Sequence, residues 1–93
     1  MPKILLVTYD LNSPGQDYEN ILDSIKEFEH IQLSESSYAI FTNKAISIVF
    51  RKHFEPYLDI NDELHIIKLT NLYRCYGNPD VEEWLKKHFH RCS

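Results

Sequence analysis

KILLVTYDL, residues 3–11, is the stretch on which the fold turns. Six of the seven residues from Ile4 to Asp10 are apolar, aromatic or β-branched. That run predicts a strand buried on both faces. Its last residue in the run is an acid. A carboxylate cannot be submerged cheaply, so Asp10 is expected to emerge at the strand's C-terminal end, among loops, where folds tend to place their chemistry.

Downstream of that strand, LNSPG (residues 11–15) is turn-forming. Ser13, Pro14 and Gln16 suit an N-cap, a first-turn proline and a capping partner, and Asp17 is an equal candidate for the cap. Tyr18, Ile21, Leu22, Ile25 and Phe28 then recur at helical spacing, predicting one amphipathic helix to about Glu29. HIQLS (residues 30–34) alternates, and SSYAIFT (residues 36–42) is β-branched and aromatic. These two segments form either a hairpin or one long kinked strand. Asn43 is a candidate cap for a second helix from about Lys44, with Pro56 near its final turn. LHIIKLT (residues 64–70) is a further apolar strand.

The order strand, helix, strand, strand, helix, strand places each helix in a crossover, the ferredoxin-like βαββαβ plan of the α+β class. Residues 1–93 form one domain, with the core at about 3–70. An additional C-terminal helix at about 78–90 is opened by Asn78 and Pro79 and carries an apolar stripe of Val81, Trp84, Leu85, His88 and Phe89. That stripe needs cover from the exposed sheet face, in the same subunit or in a twofold partner.

Composition narrows the function. Lys and Arg number 10 against 14 Asp and Glu, a net charge of −4, which argues against a broad, sequence-independent grip on nucleic acid. With two Gly there is no phosphate-binding glycine loop, and no small-molecule cofactor motif is evident. Two Cys make no disulfide framework, and no apolar run is long enough to span a bilayer. The expectation is a reduced, cytoplasmic protein without membrane contact.

ILLVTYDL, LNSPGQDYE, ESSYAIFT and NDELHIIKL, in this order and spacing, resemble a superfamily of small proteins. It contains the second CRISPR-associated core protein, the virulence-associated toxin VapD and the SinR-like proteins, of which the last are the most similar. The resemblance covers roughly residues 3–70, and the Trp84 helix matches more loosely. It implies a ferredoxin-like fold, a homodimer with the first-strand acids near the twofold axis and, in some members, metal-dependent cleavage of RNA or DNA. Asp10 is then a catalytic residue and a Mg²⁺ ligand. One carboxylate is a poor Mg²⁺ site, and a twofold mate supplies the second. The plain alternative is that Asp10 caps its turn by accepting N–H bonds from Asn12 or Ser13.

Asn12 and Ser13 are candidate contacts to phosphate or metal-bound water, although turn chemistry already explains both. The resemblance adds Ser36 and Ser37, which match a small hydroxyl position in the relatives near the phosphate, with turn formation at least as good an account of them. Arg74, between tyrosines in YRCY, suits either base stacking with phosphate binding or dimer packing. Tyr9 is expected to be a core or interface ring. His30 and His65, inside strands, are expected to be satisfied structural histidines. The tail HFHRC, with Cys75, is a weak candidate for soft-metal binding, its spacing unlike a zinc finger. Two function classes follow: a homodimeric Mg²⁺-dependent nuclease, and a silent dimeric scaffold that binds protein or nucleic acid.

Overall fold

The computed structural model describes residues 1–12 and 18–92. The chain runs β1 (Lys3–Asp10), α1 (Tyr18–Lys26), β2 (Glu29–Ser34), β3 (Ser37–Thr42), α2 (Ile46–Val49), β4 (Glu63–Lys68) and α3 (Pro79–Arg91). It is an α+β protein whose four strands form one sheet in the order β2-β3-β1-β4. Every neighbouring pair is antiparallel, so β1 runs with β2, and β3 with β4. The helices that join these like-directed strands cross one face of the sheet. No helix is long and apolar enough to cross a membrane, among the described residues.

Alternation along β1 separates two cores. Leu5, Val7 and Tyr9 face α1 and α2, where Ile21, Ile25, Val49 and Phe54 join Tyr38 and Ile40 in the larger cluster. Ile4 faces the other way and packs with Ala39 and Leu85 of α3. The C-terminal helix therefore covers the second sheet face within its own subunit. Asn78 accepts a hydrogen bond from the Asp80 N–H at 2.9 Å and Pro79 fills the first turn, the start that the sequence predicts.

Cover on this second face is unequal. Leu85, Trp84 and Val81 sit over Ile4, Ala39 and Phe41, near the start of β1. Beyond them the strand is only partly shielded. Leu6 and Thr8 are half-buried, and Ile67, opposite Leu6 on β4, is 52% exposed. The expectation of a strand buried on both faces thus holds only for its first half. A helix of 13 residues spans about 20 Å, and the 37 Å long axis of the molecule exceeds it.

Several boundaries differ from the sequence reading. Helix α1 ends at Lys26, because tight turns from Glu27 to Ser24 and from Phe28 to Ile25 close it and β2 begins at Glu29. The segment at 29–42 is a hairpin, with an irregular register between Gln32 and Ser34. Helix α2 begins at Ile46 with Ala45 as its N-cap and without a side-chain cap bond. Asn43 does not cap it, since the Thr42 hydroxyl accepts the Lys44 N–H at 3.0 Å and holds these residues in a turn. Past Val49 the helix widens to a π turn (Phe50–Phe54) and then tightens to a 3₁₀ turn (Glu55–Tyr57). Pro56 accounts for the change of pitch: it has no N–H to return and its ring crowds the carbonyl four residues back.

Candidate active site

Where β1 ends, the sheet opens into a cleft of ≈ 510 Å³ lined by Thr8, Tyr9, Asp10, Tyr18, Glu35 and Ser36, with Glu63 and His65 of β4. Strand register builds it. Asp10 stands opposite Glu63, and Thr8 opposite His65. Directly opposed residues share a sheet face, and so do residues two apart on one strand. Asp10, Thr8, Glu63 and His65 therefore project together from the end of the second sheet face that α3 does not reach.

Asp10 is exposed and its carboxylate makes no hydrogen bond to another described residue. The turn-capping alternative requires a donor from Asn12 or Ser13. Asn12 is engaged elsewhere: its N–H donates to Asp62 Oδ1 at 2.9 Å and its side-chain amide donates to the Asn61 carbonyl at 3.0 Å. Asp62 also accepts the Asp59 N–H at 2.8 Å, so one carboxylate fastens the β1 exit to the turn before β4. Ser13 lies outside the described residues, as do Pro14, Gln16 and Asp17 and the helix start expected there.

The cleft's floor is rigid on the helix side. Tyr9 is buried, donates its hydroxyl to the Glu35 carbonyl at 3.2 Å and meets Tyr18 edge-on at 6.1 Å. Burial pushes its phenol well above the ordinary 10, and the neighbouring Tyr18 and Tyr38 add to the shift. Tyr9 thus stays protonated as a structural ring, as its place in the alternation predicts.

The other candidate residues divide. Ser36 lies at the cleft rim, in the β2–β3 turn, where its N–H approaches Ser34 Oγ at 3.3 Å and its carbonyl accepts the Tyr9 N–H at 3.0 Å. Ser37 is half-buried, with its hydroxyl 2.6 Å from that of Ser34, and it is paired with Thr8. Arg74 is exposed in the loop before α3, where it borders an apolar groove with Leu6, Leu33, Tyr76 and Leu85 rather than the Asp10 cleft. The structure brings Asp10 and Ser36 together and leaves Asn12 and Arg74 in other surroundings.

In the C-terminal tail His88 is 3% exposed. Its Nδ1 donates to the Trp84 carbonyl at 2.8 Å, and its Nε2 lies 3.3 Å from Glu29 Oε1. It stacks on Trp84 at 3.9 Å and meets Phe41 edge-on. Arg91 binds the same Glu29 oxygen at 2.7 Å, and the guanidinium holds the Glu29 carboxyl below its ordinary range. His88 thus ties α3 to β2 and is no ligand of an HFHRC chelate. Cys75 and Cys92 are free thiols.

Sequence reading missed Glu63 and His65 as cleft residues. His30 meets its expectation, with Nδ1 2.8 Å from the Phe28 carbonyl and the ring beside Tyr38. His65 does not: its side chain is 63% exposed, with Glu63 3.8 Å away. The available signal was symmetry. One apolar strand ends on an acid and the last begins on one, and an antiparallel pairing sets end against beginning.

The oxygen donors that line the cleft are of the kind Mg²⁺ prefers, but among the described residues no group of three or more His, Cys, Asp or Glu side chains is placed to hold a metal ion. No family model, curated protein or solved structure matches this chain.

Proposed function

We propose that this chain is a ferredoxin-like, homodimeric phosphodiesterase that cuts RNA or DNA with Mg²⁺ held by Asp10, as its resemblance to the CRISPR-associated, VapD and SinR-like superfamily implies. The observation that carries the reading is the Asp10 carboxylate: exposed over a cleft, with the Asn12 N–H that would have capped it given to Asp62. The strand order and direction support the ferredoxin-like assignment.

Three carboxylates, from Asp10, Glu35 and Glu63, surround the entrance. A phosphodiester meets net repulsion there unless a cation offsets it. A Mg²⁺ bound at Asp10 would polarise the phosphoryl oxygen and lower the pKa of water. The protein's part is to hold the acid at the end of a rigid central strand and to shape the cleft with Tyr9, Tyr18 and Ser36. One chain offers an incomplete set of ligands, and a twofold copy completes it. Leu6 and the exposed Leu33 and Ile67, on the sheet face that carries Asp10, give that copy an apolar surface.

The test combines cleavage, chelation and mass. The wild type is expected to be a dimer by light scattering and to cut single-stranded oligonucleotides with Mg²⁺. EDTA and Asp10→Asn should each abolish cutting while fold and dimer persist. Equal cleavage by the variant would sink the reading. The acid-lined entrance favours the second reading, a silent scaffold, and binding of an oligonucleotide without cutting at any divalent ion would establish it.

A further inference from the structure

We infer that His65 is the proton acceptor of this cleft, the general base that takes a proton from the attacking water; the inference rests on the phosphodiesterase reading and adds a catalytic residue to it. Geometry carries it. His65 is diagonal to Asp10 across the β1–β4 pair, since Glu63 is directly opposite Asp10 and His65 is two residues further along the same face. Diagonal neighbours stand roughly 7–8 Å apart, somewhat less at Cβ, within reach of one water or one phosphoryl oxygen held between the two side chains.

Elimination points the same way. The polar side chains that line the cleft are Thr8, Tyr9, Asp10, Tyr18, Glu35, Ser36, Glu63 and His65. A carboxylate can serve as a general base, but a base works best when its pKa lies near the working pH, which favours an imidazole over a carboxylate at neutrality. The hydroxyls of Thr8 and Ser36 do not titrate in this range, and Tyr9 holds its proton. Imidazole alone among them changes charge between pH 5 and 8. The groups that face it are Glu63 on its own strand, Asp10 and Thr8 on β1, and Glu35 and Tyr18 at the rim.

The step balances without a further reagent. Water gives a proton to the imidazole, its oxygen forms a bond to phosphorus, and the P–O bond to one of the two flanking sugars breaks with its electron pair. The leaving oxygen takes a proton from solvent, and the imidazolium later returns its own.

The experiment runs wild type, His65→Gln and Asp10→Asn with Mg²⁺ on matched single-stranded RNA and DNA from pH 5 to 9. The wild-type rate is expected to climb with pH as imidazole loses its proton and then level. His65→Gln should lose roughly 10²-fold or more and flatten that limb. Asp10→Asn should be inactive throughout. A second readout is the NMR signal of the His65 ring, which should shift on adding a dinucleoside methylphosphonate, an uncharged analogue that needs no cation to approach the acids. His65→Gln with an unchanged rate and pH limb, or a ring signal that ignores the analogue, overturns the role of His65 alone. A wild type that cuts neither strand overturns the phosphodiesterase reading and this role together.

Discussion

Leu85→Ala tests whether α3 is a true cover of the sheet. Leu85 is 5% exposed and shares its cluster with Ile4 and Ala39. The substitution removes three carbons, worth about 2.4 kcal/mol at ~0.8 kcal/mol per buried methylene, before any cavity is counted. Half-buried Val81, Trp84 and Phe89 surround the gap and can relax into it, so the expected loss is about 2–3 kcal/mol, low in the range for such changes. A domain of this size loses about 4–8 °C of melting temperature per kcal/mol, so the expected fall is about 10–20 °C. The chain's single Trp sits on α3, stacked against His88, so its fluorescence reports docking directly. Urea unfolding followed by Trp84 fluorescence and by far-ultraviolet circular dichroism should give coincident curves for the wild type. Phe54→Ala, on the opposite face, is the control and should lose about 3–5 kcal/mol. A Leu85→Ala loss below about 0.5 kcal/mol beside a normal Phe54→Ala loss would refute the docking, because surface changes fall in that range.

Acid should weaken the fold in two stages. Burial, and then Lys44, hold the His53 imidazole below its ordinary 6.5, so the unfolded chain binds that proton more readily and stability falls as pH drops below about 6.5. The Glu29 carboxyl, held low chiefly by Arg91, adds a further loss below its ordinary 4.5. Urea midpoints from pH 8 to about 2.5 check both, with His53→Gln expected to remove the first stage and Glu29→Gln the second. Gly77 has φ of +118° and nothing within 4 Å of an added Cβ, so Gly77→Ala should cost about 1–3 kcal/mol through backbone strain alone, read as a lower urea midpoint. Asp62→Ala frees the Asn12 and Asp59 N–H groups, and hydrogen exchange at those two amides is expected to quicken while that of β1 changes far less; uniform quickening would contradict a local clasp.

Much of the fold was legible because periodicity is local. The apolar run into Asp10, the alternation of residues 30–34, the β-branched and aromatic content of residues 36–42 and the Asn78–Pro79 start each carry their own signal, and the structure places a strand or helix at each. What escaped depends on distant partners. The start of α2 turns on whether Thr42 takes the Lys44 N–H, a competition that a single-residue preference for Asn43 does not register. One of the two capping donors expected for Asp10, the Asn12 N–H, goes to Asp62, 50 residues away, a claim that no local signal announces. Glu63 and His65 become cleft residues only when β4 is known to lie beside β1, and in this register. A slip of one residue would have sent His65 to the opposite face.

The irregular step between Gln32 and Ser34 has a consequence for how copies of this chain can accumulate. Strand β2 is one margin of the sheet, and its outer line of N–H and C=O groups loses regular spacing at that step. An incoming strand finds no continuous ladder there, while the β4 margin keeps its pairing with β1 unbroken over six residues. Growth of a sheet from molecule to molecule requires two receptive margins on each. With one margin irregular, strand addition is disfavoured there, so the one extra residue on β2 works against fibrous growth.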